Sequence, residues 1–142
     1  MNPLLNEKLM YRLIKEEGMR LKPYRCSKGK LTIGVGRNLD DKGLSNEEAL
    51  FLLQNDIQEA IQSLKKEFSF FQSLSMERQI VLIDMCFNLG INRLKGFKKM
   101  IKAIEEKDFS LASKEMRSSL WAKQVGKRAE DLAHLMETEG SN

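Results

Sequence analysis

Three side chains near the start of the chain have the types and the spacing of a hydrolytic site: the carboxyl of Glu17, the thiol of Cys26 and the hydroxyl of Thr32. Glu17 ends a predicted helix, and the other two flank a predicted turn over residues 27–30. Pairing of the strands on either side of that turn brings the thiol and the hydroxyl close together. The sequence therefore predicts one wall of a cleft, suited to a bulky polymeric ligand.

The spacing of these residues resembles that of a known enzyme family. Eight residues separate Glu17 from Cys26, five separate Cys26 from Thr32, and an Ile-Gly-x-Gly segment follows at residues 33–36. This pattern is similar to that of the phage-type lysozymes of glycoside hydrolase family 24. Nearly the whole chain takes part in the resemblance, because further landmarks follow in the same order: residues 54–57, 85–90, 96–97, Trp121, Gln124 and Arg128.

The resemblance implies an endolysin that hydrolyses the β-1,4 bond between N-acetylmuramic acid and N-acetylglucosamine in peptidoglycan. Glycosidic cleavage needs a proton donor and an opposing group that activates water or attacks the sugar. The family pattern makes Glu17 the general acid, with Cys26 and Thr32 positioning or activating water. It also implies that Phe87, Asn88 and Arg128 bind substrate across the cleft from Glu17.

Cys26 stands where most family members have Asp, and its chemistry has three possible descriptions. A thiolate could deprotonate water, which inverts the anomeric carbon, or attack the sugar as a covalent nucleophile, which gives a retaining hydrolase or a transglycosylase. Both descriptions need a lowered thiol pKa, for which the side chains of Arg25 and Lys28 are the expected sources. The third description is an inert thiol in a strand.

Glu17 is expected to favour its protonated form. It lies four residues after Leu13 on the apolar side of the predicted helix, at the negative end of the helix dipole. A guanidinium from Arg128 beside it would oppose this effect. Without the family pattern, Glu17 could also be a surface acid like its neighbour Glu16, and Thr32 an ordinary strand residue.

The charge distribution supports a rival hypothesis, a catalytically inactive basic module that binds envelope polymer or nucleic acid. Residues 93–128 hold eleven Lys or Arg against four acids, whereas residues 40–62 hold six acids against one Lys. A basic face attracts anionic surfaces, but it is equally typical of a solvated surface. We favour the enzyme, with peptidoglycan strands and not nucleic acid as its partner, acting as a monomer.

Composition limits the cofactors and the compartment. His134 is the only histidine, and no zinc spacing, phosphate loop or dinucleotide motif occurs, so we expect neither a metal nor another cofactor. Two cysteines far apart in sequence predict free thiols and a reducing compartment. The charged first helix predicts no signal peptide and no membrane span. The expected location is the host bacterial cytoplasm, with release to the periplasm through a holin.

The periodicity of apolar residues predicts an α+β chain dominated by helices. A helix over 3–17 precedes a hairpin over 23–36, and a capping box at Ser45 and Glu48 starts a helix over 45–66. Further helices are expected over 76–89, 94–106, 109–117 and 126–137, with caps or stops at Ser75, Gly90 and Asp108.

Together with the resemblance, this map predicts one lysozyme-like domain over 1–142. A hairpin lobe over 17–44 is joined by the connecting helix, a possible hinge, to a helical lobe over 67–142 that also contains helix 3–17. Two further expectations concern packing. Arg37 and Asp56 should form an ion pair between the hairpin and the long helix, and Cys86 and Trp121 should be core residues.

Overall fold

The computed structural model describes residues 2–138. Three strands follow the first helix: β1 Arg20–Arg25, β2 Leu31–Gly34 and β3 Arg37–Asn38. The eight α-helices of this part of the chain are α1 Pro3–Glu17, α2 Asn46–Glu67, α3 Met76–Leu89, α4 Ile91–Lys95, α5 Lys98–Glu105, α6 Phe109–Arg117, α7 Leu120–Val125 and α8 Lys127–Thr138, and a short 3-10 helix covers Phe71–Ser73. The predicted α+β class with dominant helices is confirmed.

The chain divides into two compact units between Phe51 and Leu52, inside α2. The first unit holds α1, the sheet and the start of α2, and the second holds the remainder of α2 with α3 to α8. The predicted single domain with its lobe limits stays a prediction. In the part of the chain that the structure describes, no helix combines the length and the apolar character needed to cross a membrane.

Helix α1 has the predicted limits. The side chain of Asn2 accepts hydrogen bonds from the N–H groups of Leu4 and Leu5 at 2.9 and 3.3 Å, and Gly18 ends the helix with φ 79°. These contacts satisfy donors and acceptors that a helix leaves free at its ends. The expected burial of its apolar stripe is wrong, because none of the residues of α1 is buried.

The three strands form one antiparallel sheet in the order β1-β2-β3. The predicted hairpin over 23–36 is present but longer, since β1 begins at Arg20 and a short third strand follows β2. Pro23 lies inside β1, where its missing N–H is tolerated because β1 is an edge strand. In the register, Tyr24 and Asn38 lie on either side of Thr32.

The capping box at the start of α2 is confirmed. The N–H of Ser45 donates to Glu48 Oε1 at 2.8 Å, and the N–H of Glu48 donates to Ser45 Oγ at 3.1 Å. Only Ala60 and Leu64 of this helix are buried. The predicted apolar stripe is therefore confirmed for the second half of α2, while the first half is exposed.

Arg37 binds Glu48 and not the expected Asp56. Its Nη1 and Nη2 lie 2.8 and 2.5 Å from the two carboxylate oxygens, and Nη1 also donates to the carbonyl of Gly43 at 3.0 Å. A planar guanidinium fits a carboxylate in this two-point geometry. Hydrogen bonds from Arg37 and from the N–H of Ser45 lower the pKa of Glu48 to about 2.

In the second unit the predicted caps are confirmed. The side chains of Ser75 and Asp108 accept N–H groups at the starts of α3 and α6, and Gly90 ends α3. The predicted helix over 94–106 is wrong as a single helix, because the chain breaks at Gly96 and Phe97 between α4 and α5. Helix α7 was not predicted, although Ser119 caps its start and Gly126 ends it.

Helices α3, α5 and α8 supply most of the buried apolar side chains of the second unit, and the predicted burial of Cys86 and Trp121 is confirmed. The contacts that compensate the buried Arg78 include Met136 and Phe109. Its Nε donates to the carbonyl of Met136 at 2.7 Å, and its guanidinium lies 3.6 Å from the ring centroid of Phe109. The largest fully buried apolar side chains are Leu64, Val81, Leu82, Met85, Leu94, Met100, Ile104, Met116 and Met136.

Candidate active site

The turn between β1 and β2 places Cys26 beside the start of β2. The N–H of Cys26 donates to the carbonyl of Lys30 at 2.9 Å, and the N–H of Gly29 donates to the carbonyl of Cys26 at 2.8 Å. Gly29 has φ 78°, a conformation that glycine adopts without strain. The half-buried thiol is free and lies over its own turn.

The pKa of the Cys26 thiol is lowered from its ordinary value. The largest causes are hydrogen bonds from the backbone N–H groups of Lys28 and Lys30, and the hydroxyl of Thr32 contributes in the same direction. Desolvation acts in the opposite direction but is smaller. The expectation that the side chains of Arg25 and Lys28 supply this effect is wrong: peptide dipoles of the turn supply it.

Thr32 and Cys26 are brought together as the spacing predicts. The hydroxyl of Thr32 donates to the carbonyl oxygen of Lys30 at 2.9 Å, and it also contributes to the lowered pKa of the thiol. A hydroxyl carries one proton, so it donates to one acceptor at a time. Thr32 is buried at 4% exposure.

Glu17 lies against the turn that joins β2 and β3. A Cβ at Gly36 would lie 3.0 Å from Glu17 Oε2, and Gly36 itself has φ 69°. The glycine thus leaves the space that the carboxylate occupies. Glu17 is exposed to solvent, so the prediction that it leans into an apolar surface is wrong.

Glu17 and Cys26 lie at opposite ends of β2. The carboxylate is close to the turn after Gly34, whereas the thiol lies beside the turn before Leu31.

Phe87 and Arg128 line one groove of the second unit. The groove has a volume of about 350 Å³, and the other side chains that line it are Leu53, Ile57, Ile80, Ile83 and Asp84. Phe87 exposes 49% of its surface, which leaves one part of the ring open for contact. That these residues face Glu17 stays a prediction.

The guanidinium of Arg128 is held by Asp84. Its Nε and Nη2 lie 2.8 and 2.5 Å from Asp84 Oδ1. Both residues are part of the second unit, and the pair places the cation at the edge of the groove beside Phe87. Asp84 is not among the predicted site residues, because Arg128, its partner, lies 44 positions away in sequence.

Asn88 has one polar group engaged and one available. Its Oδ1 accepts a hydrogen bond from Trp121 Nε1 at 2.9 Å, and Trp121 contacts Phe97 edge to face at 6.1 Å between ring centroids. An amide side chain with its oxygen occupied still offers two N–H donors. Asn88 is exposed, so these donors can reach a ligand.

Comparison with known proteins relates the chain to a described family. A search of protein families matches residues 14–139 to the family described as phage lysozyme. The chain is 28% identical to "Probable T4-type lysozyme 1" of Dictyostelium discoideum, with 87% of this chain and 89% of the relative covered. It is also 28% identical to an "Endolysin" of Acyrthosiphon pisum secondary endosymbiont phage 1, over 87% of this chain and 85% of that protein. A third relative is the "Pre-baseplate central spike protein Gp5" of Enterobacteria phage T4, at 27% identity over 96% of this chain but 28% of that larger protein.

Proposed function

Since the chain belongs to the phage lysozyme family, we propose that it is a muramidase that hydrolyses the β-1,4 bond between N-acetylmuramic acid and N-acetylglucosamine in peptidoglycan. The observation that carries this proposal is the pairing of Cys26 and Thr32 across one turn, where backbone N–H groups and the threonine hydroxyl lower the pKa of the thiol. Cys26 follows β1, its turn leads into β2, and the turn after β2 is next to the carboxylate of Glu17. Relatives described as lysozyme and endolysin match over most of their lengths, which supports the same activity.

In the proposed reaction Glu17 donates its proton to the departing glycosidic oxygen. The carboxyl lies over Gly36, where the missing side chain leaves room for it. The oxocarbenium-like sugar then needs a nucleophile on its opposite face. Attack by this nucleophile completes the cleavage. Glu17 is left ionised because its proton has gone to the leaving group.

Cys26 acts on the water molecule as a thiolate. Its lowered pKa increases the share of the charged form at a given pH, and that form accepts a proton from water as the bond to the sugar develops. The hydroxyl of Thr32 can bind the same water when its proton is directed to the carbonyl of Lys30, because its oxygen then accepts.

We propose inversion, with water as the nucleophile and not a direct sulfur attack. Inverting enzymes hold their two groups about 6.5–9.5 Å apart to admit water, whereas retaining enzymes hold them about 5–5.5 Å apart.

Phe87, Asn88 and Arg128 supply glycan contacts in this proposal. The exposed ring of Phe87 suits the apolar face of a pyranose, and the free amide N–H groups of Asn88 suit a carbonyl or hydroxyl acceptor. Arg128 offers a guanidinium that Asp84 fixes at the groove. Its N–H groups suit carbonyl or carboxylate oxygens of the peptidoglycan strand.

We also propose that the protein accumulates in the host cytoplasm and reaches the wall through a holin. Free thiols at Cys26 and Cys86 fit a reducing compartment. Expression with and without a holin, followed by measurement of lysis, tests this route. Lysis at the same time without the holin would contradict it.

The decisive experiment is turbidity clearing of Gram-negative cells whose outer membrane has been removed. Wild type should clear the suspension, and Glu17→Gln should lose most of the activity, because glutamine cannot donate the proton. Glu16→Gln is the matched control, since Glu16 is the neighbouring exposed acid and pairs with Arg12 at 3.0 Å. It should clear at the wild-type rate.

Two outcomes would contradict the proposal. A Glu17→Gln protein as active as wild type would exclude Glu17 as the acid. An unchanged optical density with folded wild-type protein would favour the rival basic binding module. A DNA mobility-shift assay over a range of salt concentrations would then test binding to nucleic acid, whose affinity falls steeply with salt.

A further inference from the structure

Asp40 is not among the predicted catalytic residues, but it contacts both ends of the turn that carries Cys26. Its Oδ2 accepts the N–H of Leu31 at 2.7 Å and lies 3.5 Å from Arg25 Nη1. The same Nη1 donates to the carbonyl of Gly29 at 3.1 Å. One carboxylate therefore fixes the start of β2 directly and the tip of the turn through Arg25.

These contacts bear on the thiol because its main hydrogen-bond donors lie in the same turn. Hydrogen bonds from the backbone N–H groups of Lys28 and Lys30 are the largest causes of the lowered thiol pKa. The N–H of Cys26 donates to the carbonyl of Lys30 at 2.9 Å, and Lys30 immediately precedes the residue that Asp40 binds. A peptide N–H has the direction that its backbone gives it. A change in the turn therefore changes the alignment of both donors with the sulfur.

We propose that Asp40 is a positioning residue that holds the N–H groups of Lys28 and Lys30 on the sulfur of Cys26. The proposal rests on the proposed function for its catalytic meaning, because it takes Cys26 as the group that acts on water. The geometric claim concerns the thiol alone and can be tested without substrate.

Charge and geometry predict opposite effects at this position. The charged side chains around the turn are Arg25, Lys28, Lys30, Asp40 and Asp41. A nearby carboxylate disfavours a thiolate, so loss of Asp40 through charge alone would lower the pKa of Cys26. If Asp40 acts by positioning the donors, its loss raises that pKa. The sign of the change therefore distinguishes the two roles.

The test measures the rate of iodoacetamide alkylation of Cys26 against pH in the full chain, with peptide mass spectrometry to separate it from buried Cys86. We expect Asp40→Ala to raise the pKa of Cys26, and alkylation well below that pKa to slow about tenfold for each unit, because the thiolate is the reactive form. Asp40→Asn keeps an oxygen for the N–H of Leu31 and should retain most of the wild-type rate.

Asp41→Ala is the matched control for charge. It removes the same charge one residue further along, where the carboxylate contacts Lys30 Nζ at 3.2 Å and Asn38 Nδ2 at 3.0 Å and not the N–H of β2. It should leave the thiol pKa unchanged or lower it. Arg25→Lys keeps a positive charge but loses the planar guanidinium that contacts both Gly29 and Asp40. It should therefore raise the pKa of Cys26 by less than Asp40→Ala does.

A thiol pKa that is unchanged or lower in folded Asp40→Ala overturns the proposal. Thermal unfolding establishes that the variant is folded. If Asp40→Ala does not fold, an unchanged or lowered pKa in Arg25→Lys overturns it instead. The clearing assay tests the proposed function separately. A wild-type protein that does not clear cells would contradict that function without changing the alkylation result.

Discussion

Glu17 lies so close to Gly36 that a side chain at residue 36 would crowd its carboxylate. A Cβ there would lie 3.0 Å from Glu17 Oε2 and 3.4 Å from its carboxyl carbon. The second glycine of the Ile-Gly-x-Gly segment therefore has a specific partner, the proposed acid. Gly34 has nearly the same φ, 70° against 69°, but a Cβ there would meet no atom within 4 Å.

We predict that Gly36→Ala reduces clearing activity much more than Gly34→Ala. Both substitutions place a side chain at positive φ, which costs roughly 1–2 kcal/mol of stability. Only Gly36→Ala also displaces the carboxyl, and a shift of about 1 Å in a reacting group can lower the rate about a hundredfold. Clearing rates and thermal unfolding of the two variants check this. Equal loss of activity in both would show that strain alone is responsible.

A second prediction concerns the chemistry of residue 26. Cys26→Asp should keep activity, because it restores the carboxylate that most family members have there, whereas Cys26→Ala and Cys26→Ser should lose about 100-fold or more as the general base disappears. Ser27→Ala, at an exposed neighbour, is the control. Proton NMR of the first-formed anomer should show inversion for wild type. A retained anomer would instead assign Cys26 as the nucleophile.

A third prediction separates the two polar groups of Asn88. Asn88→Ala leaves the indole N–H of Trp121 without its partner in a side chain that is 4% exposed, which costs about 1–3 kcal/mol. Asn88→Asp keeps an acceptor for the indole but loses the amide donors, so it should stay folded and raise KM. Fluorescence of Trp121, the only tryptophan, reports on both. Wild-type KM in a folded Asn88→Asp would exclude a contact with substrate.

A fourth prediction is that Asp84 keeps Arg128 in a binding geometry. Asp84→Ala should raise KM more than it lowers kcat, because the guanidinium loses the acceptor of two of its hydrogen bonds. Asp131→Ala is the control, since Asp131 pairs with Lys127 in the same helix at 3.3 Å. Kinetics on a soluble peptidoglycan fragment provide the measurement. An unchanged KM in Asp84→Ala would remove Arg128 from the proposed glycan contacts.

Helix limits could be predicted where a local signal marks them. Asn2, Ser75 and Asp108 cap helices through contacts within three residues, and Gly18 and Gly90 end helices through their own backbone. Such contacts join residues that are close in sequence, so the residue types indicate them directly. Burial was harder to predict, because it depends on what packs against a helix. The apolar side chains of α1 form a regular stripe, yet none of them is buried.

The site shows the same division between local and distant determinants. Pairing across one turn was sufficient to bring Cys26 and Thr32 together. The cause of the lowered thiol pKa was missed, because backbone N–H direction is invisible in a residue pattern. The partner of Arg128 was missed for another reason, since nothing in the sequence links it to Asp84.

The last prediction concerns acid stability and the pair of Arg37 with Glu48. The pKa of Glu48 is lowered to about 2 in the folded chain, chiefly by hydrogen bonds from Arg37. A folded-state pKa below the unfolded value stabilises the fold at higher pH. This contribution should be fully present above the ordinary pKa of glutamate, about 4.3. It should be lost as the pH falls towards about 2.

A double-mutant cycle with Arg37→Gln and Glu48→Gln isolates this contribution, with unfolding by denaturant as the measurement. Glutamine at residue 48 keeps an oxygen for the N–H of Ser45, so the capping box survives the change. Glu47→Gln, at the exposed neighbour, controls for the loss of one negative charge. The coupling between residues 37 and 48 should shrink as the pH falls below about 4.3. A coupling of the same size at neutral pH and near pH 2 would contradict this prediction. It would show that the interaction between the two side chains does not need the charge of Glu48, which protonation removes.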